Sequence, residues 1–446
     1  MSQSTTTITR NARWTDGLTP AHWRTLAGGF LGWIFDGYEA MAPLLIMTPM
    51  LHSVLSNSQA KSVGLYAGLL LGITLIGWGI GGLAGGVVAD YMGRKKVMLW
   101  SVLLYAAFSG GTAFAHGFVS LVSLRFLTGL AMGSEWSTGV ALVSETWPDG
   151  ARAKGVSFLQ SGYGWGTFIA GIAWYMLSRA MPDSPDAWRW MFVLGALPAL
   201  FVLYLRRGVD ESEKWAAAVK GAQWVEEEFG EHGTPSRRPF PLKQLLASPT
   251  SRKLLLSSLL LSMVTSTGLW AVSSWLPTHV VTLAQGEGLP DAQLWGAKVS
   301  LIYTAGAIVA YLAAGFVVDV IGRRAFVCAT FAGSLAMTIV TYHFVVTPQT
   351  MMWVAPISGF FTLGCSYVWM AIYPTELFRS SVRATAISFV FNGARLVIWV
   401  FPILAGSMIR SLGGIPHAAL LFGSIYVIGI IVPWFMPETL GLPLPD

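Results

Sequence analysis

The 446-residue sequence is short of charge. Asp, Glu, Lys and Arg make up 11% of it, against roughly a quarter of a soluble domain. It has two cysteines, Cys328 and Cys365, both inside apolar runs; they read as small core residues and exclude a disulfide framework. No His/Cys cluster has the spacing of a metal site, no Gly-rich phosphate loop is present, and no Ser/His/Asp set stands out. Enzymatic, redox and ATP-driven readings therefore find no support, and no cofactor is expected. No cleavable leader is expected either: residues 1–22 are polar, and the first apolar run is too long for one and carries Asp36 and Glu39.

Long apolar runs are abundant. Hydrophobic residues are 54% of the chain and the mean hydropathy is +0.59. A bilayer span takes about 20 apolar residues. Twelve segments qualify: 25–50, 64–89, 97–116, 118–145, 153–179 and 188–205, then 252–279, 294–318, 324–346, 350–373, 383–408 and 415–436. They are numbered spans 1 to 12 below. The net charge of +6 could suggest a nucleic-acid partner, but the basic residues sort by loop. One side takes Arg10, Arg13, Arg24, Arg94, Lys95, Lys96, Arg152, Lys154, those between Arg206 and Lys253, Arg323, Arg324, Arg379 and Arg383. The other takes Lys61, Arg179, Arg189, Lys298 and Arg410. This asymmetry predicts a multi-pass protein of the plasma (cell inner) membrane with both termini cytoplasmic.

The expected organisation is a tail (1–24), a six-span half (25–205), a cytoplasmic linker (206–251) with a short amphipathic helix near 211–229, a second six-span half (252–436) and a tail (437–446). The halves repeat each other. Residues 86–95 read Gly-Val-Val-Ala-Asp-Tyr-Met-Gly-Arg-Lys, and Gly86, Asp90, Gly93 and Arg94 return as Gly315, Asp319, Gly322 and Arg323 at a constant offset of 229. Arg324 follows in the second copy. Glu145 and Arg152 return as Glu376 and Arg383 at an offset of 231, and the halves end alike, in Asp210-Glu211-Ser212 and Pro437-Glu438-Thr439.

These landmarks resemble the major facilitator superfamily of transporters, over about residues 20–440. The turn at Gly86, Asp90, Gly93, Arg94 and Lys95 is similar to the family's loop 2–3 motif and departs from it at Tyr91, where a basic residue is usual. The stretches Ile34-Phe35-Asp36-Gly37-Tyr38-Glu39 and 205–212 resemble the proton-coupled organic-acid symporters, first the sialate and monocarboxylate branch and then the aromatic-acid branch. The resemblance implies an all-α membrane fold of twelve helices in two pseudo-symmetric halves, with the site between them. It also implies alternating access without covalent chemistry, with a monomer sufficing.

Charged groups at bilayer depth cost several kcal/mol unless paired or wetted, so each is a candidate. Asp36 and Glu39 lie on span 1, Arg125 and Glu135 on span 4, and Arg395 mid-way along span 11. Arg125 resembles the span 4 arginine of the sugar-porter branch, which pairs with a span 1 acid. That resemblance implies an Asp36–Arg125 pair that takes a proton when the arginine withdraws, with Glu39 and Glu135 as further proton sites. Arg395 has no acid in its span. It can grip a substrate carboxylate bidentately, or bridge to Asp36, Glu39 or Glu135. Asn392 shares its face, and Gln160, Tyr163 and Tyr367 are cavity candidates. Asp90, Arg94, Lys95, Glu145 and Arg152, with Gly86 and Gly93 permitting close approach and a tight turn, would form an ion-pair latch at the inner ends of their helices. Asp319, Arg323, Arg324, Glu376 and Arg383 would do the same in the second half.

The reading is a secondary transporter importing an organic anion, a monocarboxylate, with protons. A sugar or polyol carrier of the same fold is the alternative, and a non-transporting nutrient sensor a remote one.

Overall fold

The computed structural model describes residues 13–59, 63–181, 184–220, 240–400, 408–409 and 411–445. The first part of the N-terminal tail, most of the linker with the far end of its expected helix, and residues 401–407 of span 11 lie outside the described residues. The described chain is helical, with no strand.

Apolar runs without backbone breaks give long helices because the bilayer leaves every amide to be satisfied within its own segment. Among the described residues, six helices are each long and apolar enough to cross a membrane: Tyr66–Met92, Pro249–Gly286, Leu294–Ile321, Arg323–Phe344, Pro348–Leu377 and Ile415–Phe435. The remaining spans are more polar or interrupted. Span 1 is Pro20–Leu45, carrying Pro43, with Met47–Val54 after it. Span 3 is Arg94–Thr112 and span 5 Asp149–Ala180. Span 4 divides into Phe118–Met132 and Glu135–Thr146, span 6 into Ala187–Leu194 and Pro198–Gly208, and span 11 into Arg383–Gly393 and Arg395–Ile398. Spans 7 and 10 contain π-helical turns at Gly268–Val272 and Phe360–Cys365. Such turns add a residue to the helical ladder and recur at functional sites. Of the expected linker helix, Glu213–Lys220 is described.

The two halves meet along two helix pairs that the internal repeat relates. Span 2 crosses span 11: a Cβ on Gly86 would stand 2.5 Å from the Ser388 Cβ and 2.9 Å from the Ala384 carbonyl oxygen. Span 8 crosses span 5: a Cβ on Gly315 would stand 2.6 Å from the Lys154 Cα. Glycine at these two matched positions lets backbones of opposite halves touch. At the turns themselves Gly93 and Gly322 have φ of 98° and 86°, a region that a side chain penalises. A continuous buried core runs through both halves, from Trp33 and Trp136 to Tyr367 and Phe391.

Candidate functional site

The site is built in three layers along the seam between the halves. The first lies at the charged-turn end. Arg94 starts span 3 and is fully buried. Its Nη2 pairs with Asp90 and with Glu145, each at 3.1 Å, and donates to the Ser380 carbonyl of the opposite half at 2.6 Å. Arg383 reaches back from the second half to Glu145 at 2.9 Å, and Ser380 Oγ donates to the same carboxylate oxygen at 3.0 Å. Asp90 Oδ2 accepts from Thr385 N at 2.8 Å and Thr385 Oγ1 at 2.6 Å. The mirror cluster has Arg323 on Asp319 at 3.1 Å and on Glu376 at 2.8 Å, while Lys154 crosses to Asp319.

Two features of this layer depart from the sequence expectation. Glu145 is not paired with Arg152 across their turn, nor Glu376 with Arg383. Arg383 lies against the Thr375 and Phe378 carbonyls, which brace its Nε and send the guanidinium across the seam to Glu145. Arg152, braced likewise by the Ser144 carbonyl, turns to Asp149. The repeat thus holds at Arg94 and Arg323, which pair alike, and breaks at Arg152 and Arg383. Arg324 makes no ion pair among the described residues; it donates to the Trp434 carbonyl at 2.6 Å. Lys95 contributes its backbone N–H, not its ammonium, to the bonds described: Glu211 accepts from Arg94 N at 3.0 Å and from Lys95 N at 3.2 Å. Glu438 accepts from Arg323 N at 2.9 Å and Arg324 N at 3.1 Å. The matched endings Glu211 and Glu438 therefore cap the helices that follow the two tight turns, where the exposed N–H groups and the dipole favour an anion. The repeat marked these residues, but no spacing rule gave them that role. Burial opposes ionisation of Glu438, yet these N–H groups with those of Leu440 and Thr439 hold its carboxyl below the usual value.

The second layer is aromatic. Trp136 stacks on Phe391 of the opposite half with centroids 3.8 Å apart and planes at 24°. Trp33 lies 5.8 Å from Trp136, 6.0 Å from Phe391 and 5.2 Å from Tyr163. Tyr367 meets the edge of Phe391 at 6.5 Å. The rings plug the seam beside the ionic layer. Sequence reading named Tyr163 and Tyr367 but missed Trp33, Trp136 and Phe391, because aromatic residues within spans carry no periodic mark that separates plug from packing.

The third layer holds the intramembrane charges. Glu39 is the partner of Arg125, at 2.9 Å, with Ser109 Oγ donating to it at 2.5 Å and Arg125 also on the Glu39 carbonyl at 3.3 Å. This corrects the expected Asp36–Arg125 pair. Three residues on a helix are about 300° and one turn apart, so Asp36 faces a different neighbour, the carboxyl of Glu135. Asp36 and Glu135 are 0% and 1% exposed. Among the described residues, neither Asp36 oxygen nor Glu135 Oε2 has a hydrogen-bond partner. Glu135 reaches Asp36 over Gly32, where a Cβ would overlap its carboxylate.

Arg395 stands on the far side of Phe391 from Arg383. Its Cζ lies over the Phe391 ring at 3.9 Å and the Trp78 ring at 4.5 Å. Its Nη1 donates to Asn392 Oδ1 at 2.9 Å and the Phe391 carbonyl at 3.2 Å. It makes no ion pair among the described residues, so the bridge to Asp36, Glu39 or Glu135 is not formed. It lines a pocket with Leu75, Trp270, Ile398 and Trp399. Asn392 and Gln160, both expected to reach substrate, are already engaged: Asn392 Nδ2 donates to Ser388 Oγ at 3.1 Å and the Gly133 carbonyl at 3.4 Å, and Gln160 Oε1 accepts from Trp136 Nε1 at 2.7 Å. Chemically, the arrangement offers an anion grip, a neighbouring acid pair and a closure at one end.

Relatives share this architecture. The sequence profile of the sugar (and other) transporter family matches residues 25–446. A Haemophilus influenzae protein assigned by name to metabolite transport is 30% identical, over 95% of this chain and 98% of its own. The cis,cis-muconate transport protein of Acinetobacter baylyi is 27% identical, over 92% and 93%. The solved proton:xylose symporter XylE of E. coli, at 18% identity, superposes with a TM-score of 0.77 over 95% and 98%, a likeness of fold. With a family match running from span 1 to the end of the chain, the protein belongs to the sugar (and other) transporter family, as a membrane-spanning transporter of the major facilitator superfamily.

Proposed function

We propose that the protein imports an organic anion, a monocarboxylate, together with protons, by alternating access. The observation that carries this reading is Arg395: a half-buried guanidinium at bilayer depth with no ion pair among the described residues, opening on a pocket. A fixed charge there is costly unless an anion or water meets it, and a carboxylate matches its fork. The muconate relative is named for an organic acid. Tyr163 and Tyr367 flank the same charge.

Proton movement is assigned to the carboxyls beside the aromatic plug. Asp36 lies one turn beyond Trp33, and Glu135 directly precedes Trp136. We assign the pair one proton, held while Trp136 lies on Phe391. Separation of the rings on rocking moves span 4 relative to span 11 and exposes the pair. Glu39 can take a proton once Arg125 has moved away, because an ionised carboxylate alone at that depth is penalised. The charged-turn end is assigned to the cytoplasm with both termini, following the basic loops. Its ionic layer, with Arg383 and Glu145 as the pair across the seam, latches that end shut. One chain contains every group invoked.

The sugar or polyol reading is favoured by the xylose symporter's fold likeness. Counterflow in proteoliposomes separates the two. Carboxylates are expected to exchange and Arg395→Ala to abolish exchange. Exchange of neutral sugars with Arg395→Ala unimpaired would overturn the organic-anion reading.

A further inference from the structure

We infer that the Tyr105 hydroxyl is the proton relay between Glu39 and the Asp36–Glu135 pair; this rests on the proton-symport reading above. The first observation is a hydroxyl with nothing to bond. Tyr105 lies within span 3 and is fully buried, and among the described residues its Oη has no partner. An unpaired buried hydroxyl costs stability, and phenylalanine would fill the same space without that cost. Tyr38 and Tyr342, also buried, donate theirs to the Met191 carbonyl at 2.8 Å and the Val272 carbonyl at 2.7 Å. Tyr426 Oη is likewise unpaired, but the titratable groups that act on it are tyrosines.

The second observation is where Tyr105 stands. Ser101, Tyr105 and Ser109 follow one another at four-residue steps along one face of span 3. Ser101 Oγ donates to the Ala131 carbonyl of span 4 at 2.5 Å, and Ser109 Oγ donates to Glu39 of span 1 at 2.5 Å. Tyr105 lies one turn from each of these contacts, between span 4 four residues before Glu135 and span 1 three residues after Asp36. Glu135, Asp36 and Glu39 all act electrostatically on its hydroxyl, Glu135 most strongly. Arg125 closes the far side of Glu39, at 2.9 Å.

The third is what a phenol can do. It donates and accepts at one atom, whereas the indole Nε1 of Trp33, the unpaired donor one turn before Asp36, can only donate. In the relay, the O–H of a protonated Glu39 and the O–H of Tyr105 break, and new O–H bonds form on the Tyr105 oxygen and on the ionised pair. Tyr105 ends neutral, Glu39 ends ionised, and one proton has moved to Asp36 and Glu135. In the conformation described the hydroxyl bonds to neither acid, and Glu39 is held by Arg125 and Ser109. The relay is therefore broken here, and it closes when Arg125 releases Glu39. That arrangement ties proton passage to the same arginine movement that lets Glu39 take a proton.

The test is pH-gradient-driven uptake of labelled lactate, sialate and benzoate into lightly buffered proteoliposomes, with the external pH read alongside. Wild type, Tyr105→Phe and Ser101→Ala are compared. A positioned proton-transfer group contributes about 10²–10⁴-fold, so Tyr105→Phe is expected to slow net uptake and external alkalinisation by about a hundred-fold or more. Counterflow, which needs no net proton movement, is expected to persist, and the melting temperature to equal or exceed that of the wild type. Ser101→Ala removes a bonded hydroxyl from the same face and is expected to lower the melting temperature and keep the alkalinisation. Undiminished alkalinisation in Tyr105→Phe would overturn the relay, as would loss of counterflow with a lowered melting temperature, which would make Tyr105 a packing residue; in both cases the wild-type signal would keep the symport reading standing. A wild type that carries none of the three acids, or carries one without alkalinisation, would overturn both.

Discussion

Replacing Glu145 by Gln tests the ionic layer. Glu145 is 4% exposed and holds three groups: Arg94 at 3.1 Å from its own half, and Arg383 at 2.9 Å and Ser380 at 3.0 Å from the other. Loss of one partner of a buried pair costs about 3–5 kcal/mol. The share involving Arg94 is paid in every conformation, since Arg94 and Glu145 move together. The share involving Arg383 exists only while this end is closed. A charge-assisted hydrogen bond contributes about 1.5–3 kcal/mol, which corresponds to roughly a 10- to 150-fold shift toward opening. The assay is alkylation of Ser388→Cys, a fully buried position on the span 2–span 11 seam, in a background lacking Cys328 and Cys365. Its labelling rate is expected to rise at least ten-fold in Glu145→Gln. In Glu376→Gln, whose described ion pair stays within one half, it is expected to change little. Unchanged labelling in a folded Glu145→Gln protein, or an equal rise in both variants, would refute the assignment of the latch to the cross-seam pair.

Gly32→Ala is expected to displace Glu135 from Asp36, because the added methyl occupies the carboxylate's place; counterflow should persist while pH-driven accumulation falls. Glu39→Gln leaves Arg125 buried against a neutral partner, and thermal denaturation should register a loss of about 3–5 kcal/mol, against about 1 kcal/mol for Ser109→Ala. Glu438→Gln removes the anion from the N-terminus of span 9. Because the folded-state carboxyl titrates below the ordinary 4.5, its contribution is complete above that value and is lost as pH falls through the lowered one. The melting-temperature deficit of the variant should therefore be present at pH 7 and shrink only as the pH falls below 4.5.

The twelve spans, the duplication and the two charged turns were legible in the sequence because each follows from a local rule: run length, loop charge, repeated spacing. Partner choice was not. The repeat placed Glu145 beside Arg152 and Glu376 beside Arg383, but it is symmetric and cannot say which arginine crosses the seam; that depends on where the guanidinium points once its Nε is braced. Asp36 and Glu39 are equivalent as acids on one helix, and only the rotational setting of span 1 against span 4 gives Arg125 to Glu39 and Glu135 to Asp36. Arg395 could be singled out because it lacks an acid in its own span, whereas the ring system around it, Trp78, Phe391 and Trp270, comes from three spans and two halves and left no linear trace. Asn392 looked free for substrate by helical spacing, yet its amide is taken up by Arg395 and Ser388 of its own span and by the Gly133 carbonyl of span 4.

The most direct test of carboxylate–proton symport is the pH of the medium around lightly buffered proteoliposomes when an organic acid is added with no imposed gradient. The account expects the outside to turn alkaline as acid enters with protons. It also expects Asp36→Asn to abolish that signal while retaining counterflow, and Arg395→Ala to abolish both. Uptake of the acid with no alkalinisation, or alkalinisation undiminished in Asp36→Asn, would contradict it.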